Sequence, residues 1–279
     1  MISFIICSTK VELNSVLKDN IASTVKVPYE IILIDNSQNT YSIFSAYEEG
    51  VKRANYPYLC FIHEDILFRS DNVGECIVTS FEKNPDLGLL GVVGIQVLPQ
   101  YPFGWWAAGY DYYVGGIIKN NKNAKMTNHY QSGCPTITKL EDAVACDGLF
   151  LCIKKELFSK ISWDIETFHG FHCYDLDICM QVMQTGEKVM VAKDIKIEHF
   201  STGNPTESFA EGCALFSKKW NRMLPVYVDS ISKNTAIKIQ ERCMTEYLKA
   251  FPLAIRYKHI QNHPIGNKIF SLMKVLKRF

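Results

Sequence analysis

Cys60-Phe61-Ile62-His63-Glu64-Asp65 is an apolar run that stops abruptly at acidic side chains, and upstream Ile31-Ile32-Leu33-Ile34 stops in the same way at Asp35. Buried strands of an open α/β sheet carry ligand-binding groups at their carboxyl ends, so Asp35 and Asp65 are expected at the mouth of one sheet. That placement suggests a metal and a nucleotide. Outward from this stretch, apolar runs at 2–7, 29–34 and 58–62 alternate with helix-compatible segments at 12–23 and 43–53. The alternation implies βαβ units and a mostly parallel sheet sandwiched by helices. A further helix is expected over 72–83, where Val73, Cys76, Ile77 and Ser80 recur at helical spacing, and 87–97 reads as another buried strand.

At 279 residues the chain suits one large domain, or one domain with a smaller appendage, and 47% hydrophobic content is ample for a buried core. Thirty basic and 29 acidic side chains leave no global bias toward nucleic acid or an anionic membrane, so a charged partner must be held by a local cluster. The ten cysteines are scattered singly, several inside apolar runs, and no CxxC pair occurs. They read as reduced core residues of a cytoplasmic protein. The amino terminus enters Ile2-Ser3-Phe4-Ile5-Ile6-Cys7 with no basic leader, so no secretion signal is expected. No stretch reaches the roughly 18 apolar residues of a membrane span.

Between residues 99 and 138 periodicity is lost in glycine, tyrosine, asparagine and the Trp105-Trp106 pair. Such a stretch inside a compact domain is expected to face substrate or to move. Regular signals return at 143–153, with helices at 154–159 and 174–185 and a strand at 188–198. After Asn204-Pro205 the character becomes helical: Phe209, Cys213, Phe216 and Trp220 share one helical face, and 236–251 continues in that style. The expected division is 1–204 as the nucleotide-binding and catalytic unit and 205–279 as a helical C-terminal region. In the tail, 268–279, Ile269, Leu272, Met273 and Leu276 lie on one side with Lys274, Lys277 and Arg278 nearby. That pattern suits either peripheral contact with a membrane surface or a terminal helix docked on its own domain or on a second subunit of a homo-oligomer.

Asp35, Asp65, Asp175 and His199 all sit just past apolar runs or open a helix. Asp65, with His63 and Glu64, offers hard ligands for Mg or Mn, and a nitrogen from His199 tilts the preference toward Mn. A helix cap or a surface acid accounts for Asp65 as well, and a hydrogen-bonded structural histidine for His199. Asp35 is followed by Asn36-Ser37, a loop suited to the imide or ribose of a nucleotide and equally to an Asx-turn. Neither GxxxxGK[ST] nor GxGxxG occurs, which argues against P-loop ATPases and Rossmann dehydrogenases. Asp175 and Asp177 open the apolar-rich helix at 174–185; one can cap it, and a carboxylate there can also take a proton as general base. A zinc site of His169, His172, Cys173 and His199 matches no common structural spacing.

In order and separation these motifs resemble the family 2 glycosyltransferases with the GT-A fold, particularly bacterial members of polysaccharide assembly, over about residues 2–203. The resemblance implies that Cys7-Ser8-Thr9 contacts the nucleotide, that Asp35 with Asn36 binds its base, and that His63-Glu64-Asp65 stands for the DxD motif, Glu64 on the nucleotide and Asp65 on the metal. Asp147-Gly148 resembles the segment beside the sugar and acceptor. Tyr174-Asp175-Leu176-Asp177 resembles the ED motif, with Asp175 in the base position, Tyr174 replacing Glu, and Asp177 on the sugar or acceptor side. His199 matches a late histidine that completes the metal shell. Ser8-Thr9-Lys10 lacks the usual proline and asparagine, Glu48 stands where asparagine is common, and no QxxRW-like motif occurs.

The function so implied is inverting transfer of a hexosyl or N-acetylhexosaminyl group from a nucleotide diphosphate donor, most simply UDP-linked, to a saccharide or lipid-linked saccharide, in the cytoplasm or at the inner face of the membrane. Trp105 or Trp106 would stack on a sugar. Two other classes stay open: a nucleotidyltransferase, for which the first loop lacks a glycine-rich basic segment, and a non-catalytic sugar-nucleotide or glycan-binding protein of the same fold.

Overall fold

The structure, a computed structural model of the chain, describes residues 1–100, 108–119, 139–201 and 207–250. Ile2–Ser8 (β1), Tyr29–Asp35 (β2) and Tyr58–Ile62 (β3) alternate with Ser15–Thr24 (α1) and Ile43–Arg53 (α2). β1 lies between β2 and β3, parallel to both, and its Ile2, Phe4, Ile5 and Ile6 are fully buried because helices cover both sheet faces. The register sets Ser8 opposite Asp35 and Ile6 opposite Ile62. The residues that leave these strands, Thr9, Asn36 and His63 to Asp65, therefore emerge at one edge. Asn14 and Ser42 cap α1 and α2 by accepting from the amides of Val16 and Ser45. Gly50 lets α2 approach β1 where a Cβ would strike Ile5.

The chain continues through Ile66–Phe68 (β4), Val73–Lys83 (α3), Leu87–Gly91 (β5), Val93–Ile95 (β6) and Val97–Leu98 (β7). The strand expected over 87–97 is thus three short strands in different sheets. β5 belongs to the central sheet, whereas β6 leaves it for a small sheet in which Gly94 passes too close to Ala145 to carry a side chain. Asn72 lies outside α3 in a left-handed conformation, φ 56°. In the irregular region, Tyr113–Gly115 (β8) and Ile118–Lys119 (β9) follow a short 3-10 turn at Tyr110–Tyr112. Leu140–Ala143 (β10), Ala145–Cys146 (β11) and Phe150–Lys154 (β12) come next, and the helix expected at 154–159 is a 3-10 turn at Lys155–Ser159.

Tyr174–Gln184 (α4), Lys188–Ala192 (β13), Ile197–His199 (β14), Glu207–Lys219 (α5), Val226–Tyr227 (β15) and Lys233–Ala250 (α6) complete the described elements. The central sheet has the order β10-β13-β5-β12-β3-β1-β2. β12 and β10 run against the other five strands, so the sheet is mostly parallel, with helices on its faces. The strand expected over 188–198 is two: the chain leaves the central sheet after β13, turns at Asp194, and re-forms as β14 against β4. That detour carries His199 to the strand edge.

The C-terminal helices belong to the same core. Phe209, Cys213, Phe216 and Trp220 are buried, as the one-faced pattern predicts, and β15 pairs with β7. The amphipathic tail at 268–279 lies outside the described residues. Among those described, no helix is long and apolar enough to cross a membrane.

Candidate active site

The residues that follow β1, β2 and β3, the end of β14, the entry to β12 and the start of α4 meet at the carboxyl edge of β1 to β3. The first turn after β1 folds onto Glu64: the Ser8 and Thr9 hydroxyls donate to its carboxylate at 2.5 and 2.8 Å, and the Thr9 amide donates at 3.2 Å. Beside them Asp35 is exposed and closes an Asx-turn by accepting from the Ser37 amide at 2.9 Å, which holds its carboxyl below the usual range. Asn36 donates its backbone amide to Ser8 and locks the loop through side-chain bonds in both directions with Tyr41. Ser8, Thr9, Asp35, Asn36 and Glu64 thus form one contiguous polar rim.

On the other side of Glu64, His63 and Asp65 turn toward His199. The chain turns at Glu64-Asp65 after β3, and the turn leaves Glu64 on the Ser8-Thr9 side while Asp65 meets His63 and His199. β14 pairs antiparallel with β4, His199 facing Ile66, and the Phe200 amide donates to the Asp65 carbonyl. The His199 Nε2 lies 3.3 Å from the Asp65 carboxylate, the His63 Nδ1 4.0 Å from the same oxygen, and one ligand atom from each residue falls within 4.8 Å of the others. Burial works to raise the Asp65 carboxyl, but the His199 hydrogen bond and charge, with His63, hold it below the ordinary carboxylate range. Burial pushes the His63 imidazole down, keeping it neutral and able to ligate. Two imidazole nitrogens and a carboxylate oxygen, all partly open to the cleft, fit a divalent cation. Behind them a buried ion pair between Arg69 and Glu198 fixes β14.

A further segment precedes β12. Because β12 runs antiparallel to β3, its entry lies at the same edge, and the His63 amide donates to the Leu149 carbonyl at 3.1 Å. Asp147 turns the chain by accepting from the Leu149 amide, and Gly148 donates its amide to Asp175 at 3.3 Å. A Cβ at Gly148 would collide with the Tyr174 hydroxyl, so glycine is obligatory here. The last segment is the start of α4. Cys173, at φ 67°, makes the left-handed entry that delivers Tyr174 and Asp175 to the cleft. Asp175 also accepts from the Leu176 amide. Desolvation, reinforced by the like charge of Asp147, raises its carboxyl to about 7, a value suited to a general base near neutrality.

Asp177 does not join this group. It is 1% exposed on the opposite face of α4, where the Lys219 ammonium, the Trp220 indole and the Gln181 amide all approach at 2.7 Å. Neither Asp175 nor Asp177 is the cap residue of α4; Cys173 occupies that position. Trp105 and Trp106 lie outside the described residues. The backbone of the same irregular region does reach the site, since β9 pairs with β14 and sets residue 119 opposite His199. His63, offered with Asp65 as a ligand in the sequence, completes the triad, whereas the contacts of the Tyr174 hydroxyl and of Phe171 have no sequence signal. The Tyr174 hydroxyl lies 2.7 Å from the His63 Nε2. Phe171, 53% exposed, lies over His63 and Tyr174 with ring centroids at 6.1 and 5.9 Å.

A helix-flanked, mostly parallel sheet with acidic and imidazole groups gathered at its carboxyl edge defines an α/β protein with a candidate cation site. The sequence of residues 3–210 matches the Glycosyltransferase like family, and the chain belongs to it. No curated protein sequence matches the chain. Among solved structures the fold is similar to S. aureus TarS 1–349, at 11% identity over 97% of this chain and 82% of that one, TM-score 0.53. The TarS complex with UDP-GlcNAc gives 9% identity over 97% and 83%, TM-score 0.54. GalNAc-T7, solved with UDP, GalNAc and Mn2+, matches at 13% identity over 94% of this chain and 58% of its own, TM-score 0.52. The fold is that of the GT-A glycosyltransferases.

Proposed function

We propose that the protein is a metal-dependent, inverting glycosyltransferase that moves a hexosyl or N-acetylhexosaminyl group from a nucleotide diphosphate donor, UDP-linked in the leading case, to a hydroxyl of a saccharide or lipid-linked saccharide. The observation that carries this reading is the gathering of a raised carboxylate, Asp175, and the His63-Asp65-His199 cluster at one strand edge, tied together through Gly148 and Tyr174. The UDP-sugar complexes of TarS and GalNAc-T7 favour the donor class.

The nucleotide would lie along the rim. Asp35, kept ionised, is an acceptor for a base imide N–H, and the Ser8-Thr9 turn, already braced on Glu64, borders the ribose and phosphates. His63, Asp65 and His199 would hold the cation, and their two nitrogens favour Mn over Mg. A cation held there would supply positive charge to offset the negative charge developing on the departing diphosphate. Asp175 takes the proton of the acceptor hydroxyl while that oxygen bonds to the anomeric carbon from the side opposite the leaving group, which inverts its configuration. Asp147 and Gly148 border the sugar, and Phe171 offers an exposed aromatic face for a pyranose ring. Trp105 or Trp106 would stack on a sugar. Asp177 is assigned to anchoring α5, and the helical region after residue 204 to bracing the catalytic unit.

Incubation with a panel of sugar nucleotides and Mn2+ tests the proposal. Release of nucleoside diphosphate, accelerated by an acceptor saccharide, is expected. Pyrophosphate release would place the protein among nucleotidyltransferases, and binding without turnover would make it a non-catalytic binder.

A further inference from the structure

We infer that Tyr174 is a positioning residue for the cation site: its hydroxyl sets the tautomer and ring orientation of His63, so that Nδ1 faces the cation. The inference rests on the reading of His63, Asp65 and His199 as cation ligands. A neutral imidazole has one nitrogen with a proton and one with a lone pair, and the partner of the first decides which is free to ligate. In His63 the two nitrogens have different surroundings. Nδ1 faces the Asp65 carboxylate at 4.0 Å, on the side of His199, while Nε2 lies 2.7 Å from the Tyr174 hydroxyl. With Nδ1 committed to a cation, Nε2 carries the proton and donates it to Tyr174 Oη. Ligating histidines characteristically have such an outer partner.

The tyrosine is itself immobilised. It is 4% exposed, its ring sits among Tyr47, Phe44 and Trp163, and its hydroxyl fills the space left by the missing side chain of Gly148. The adjacent Asp175 is bonded to the amide of the same glycine. One short loop therefore sets both the imidazole that faces the cation and the carboxylate proposed as base. Any movement of Tyr174 would be felt at both.

Calorimetric titration with Mn2+ of the wild-type protein, Tyr174→Phe, His63→Ala, the double variant and His199→Ala tests this, with each variant's fold checked by thermal unfolding. Tyr174→Phe removes one oxygen from a buried ring and is expected to weaken Mn2+ binding about 10- to 100-fold. The same change is expected to have no further effect once His63 is alanine. Wild-type affinity in Tyr174→Phe, alongside loss in His199→Ala, overturns the role of Tyr174 while sparing the cation site. An equal loss in the His63→Ala background also overturns it, since the tyrosine would then act through the fold. A wild-type protein that binds no Mn2+ removes the cation site and the inference together. Independently of any variant, nitrogen NMR of the wild-type protein with Zn2+ is expected to find His63 protonated at Nε2; protonation at Nδ1 refutes the assignment.

Discussion

On the cleft face of α4, Asp175 is held by the backbone amides of Gly148 and Leu176 beside the like charge of Asp147; on the core face, Asp177 is held by an ammonium, an indole and a carboxamide. Burial raises both carboxyls. For Asp175 a second carboxylate adds to the rise and takes it to about 7, whereas for Asp177 the Lys219 charge opposes it. Residues two apart on a helix point about 200° apart, so adjacent acids in a motif need not share a task. The cleft face keeps a carboxylate that can exchange a proton with a ligand. The core face uses one as a structural anchor for α5.

The largest expected effect separates the two faces directly. Asp175→Asn should lower transfer about 10²- to 10⁴-fold with donor and Mn2+ binding retained, measured as nucleoside diphosphate release against donor titration; unchanged turnover would remove Asp175 from the chemistry. Next, Asp65→Ala or a chelator should weaken binding of the nucleotide diphosphate by about tenfold or more, and equal affinity with and without chelator would end the metal reading. Asp177→Ala should act through stability, losing about 2–3 kcal/mol in thermal or denaturant unfolding because Lys219 and Trp220 lose a buried partner, while turnover per folded molecule stays near that of the wild type. A turnover loss without destabilisation would return Asp177 to the reacting side.

The smallest effects concern pH. The rate should rise as pH passes through about 7 and then level, as Asp175 becomes the ionised base. Stability moves the other way. A carboxyl whose folded pKa exceeds its unfolded value of about 4 contributes stability that is complete below pH 4 and is lost as pH rises through 7. Asp175→Asn, which cannot ionise, should therefore be more stable than the wild type above pH 7 by roughly 1–3 kcal/mol, with the gap closing toward pH 4. A gap independent of pH would mean that the Asp175 carboxyl is not raised in the folded protein.

Much of this arrangement was legible beforehand. Strands β1, β2 and β3 and helices α1, α2 and α4 follow local apolar periodicity, and their ends were readable to within a few residues. The breaks within 87–97 and 188–198 are not legible in the sequence, because a continuous apolar run carries no mark of the point where it changes sheets. At Asp194 that change matters most: a straight strand would have left His199 in the central sheet, away from Asp65. His63 was visible as a neighbour of Asp65, but its place in the triad depends on β14, and the Tyr174 hydroxyl was legible only as an aromatic beside an acid.

The order of apolar runs and polar breaks, a property of the chain read residue by residue, was enough to determine the α/β architecture, the edge at which Asp35 and Asp65 emerge, and the helix that carries Asp175. The partners of each of those groups were decided in three dimensions. Pairing of β14 with β4, the antiparallel entry of β12 beside β3, and the left-handed turn at Cys173 bring together residues far apart in the sequence. Local periodicity encodes which face of an element is buried, and only packing determines what that face, or the one opposite, will meet.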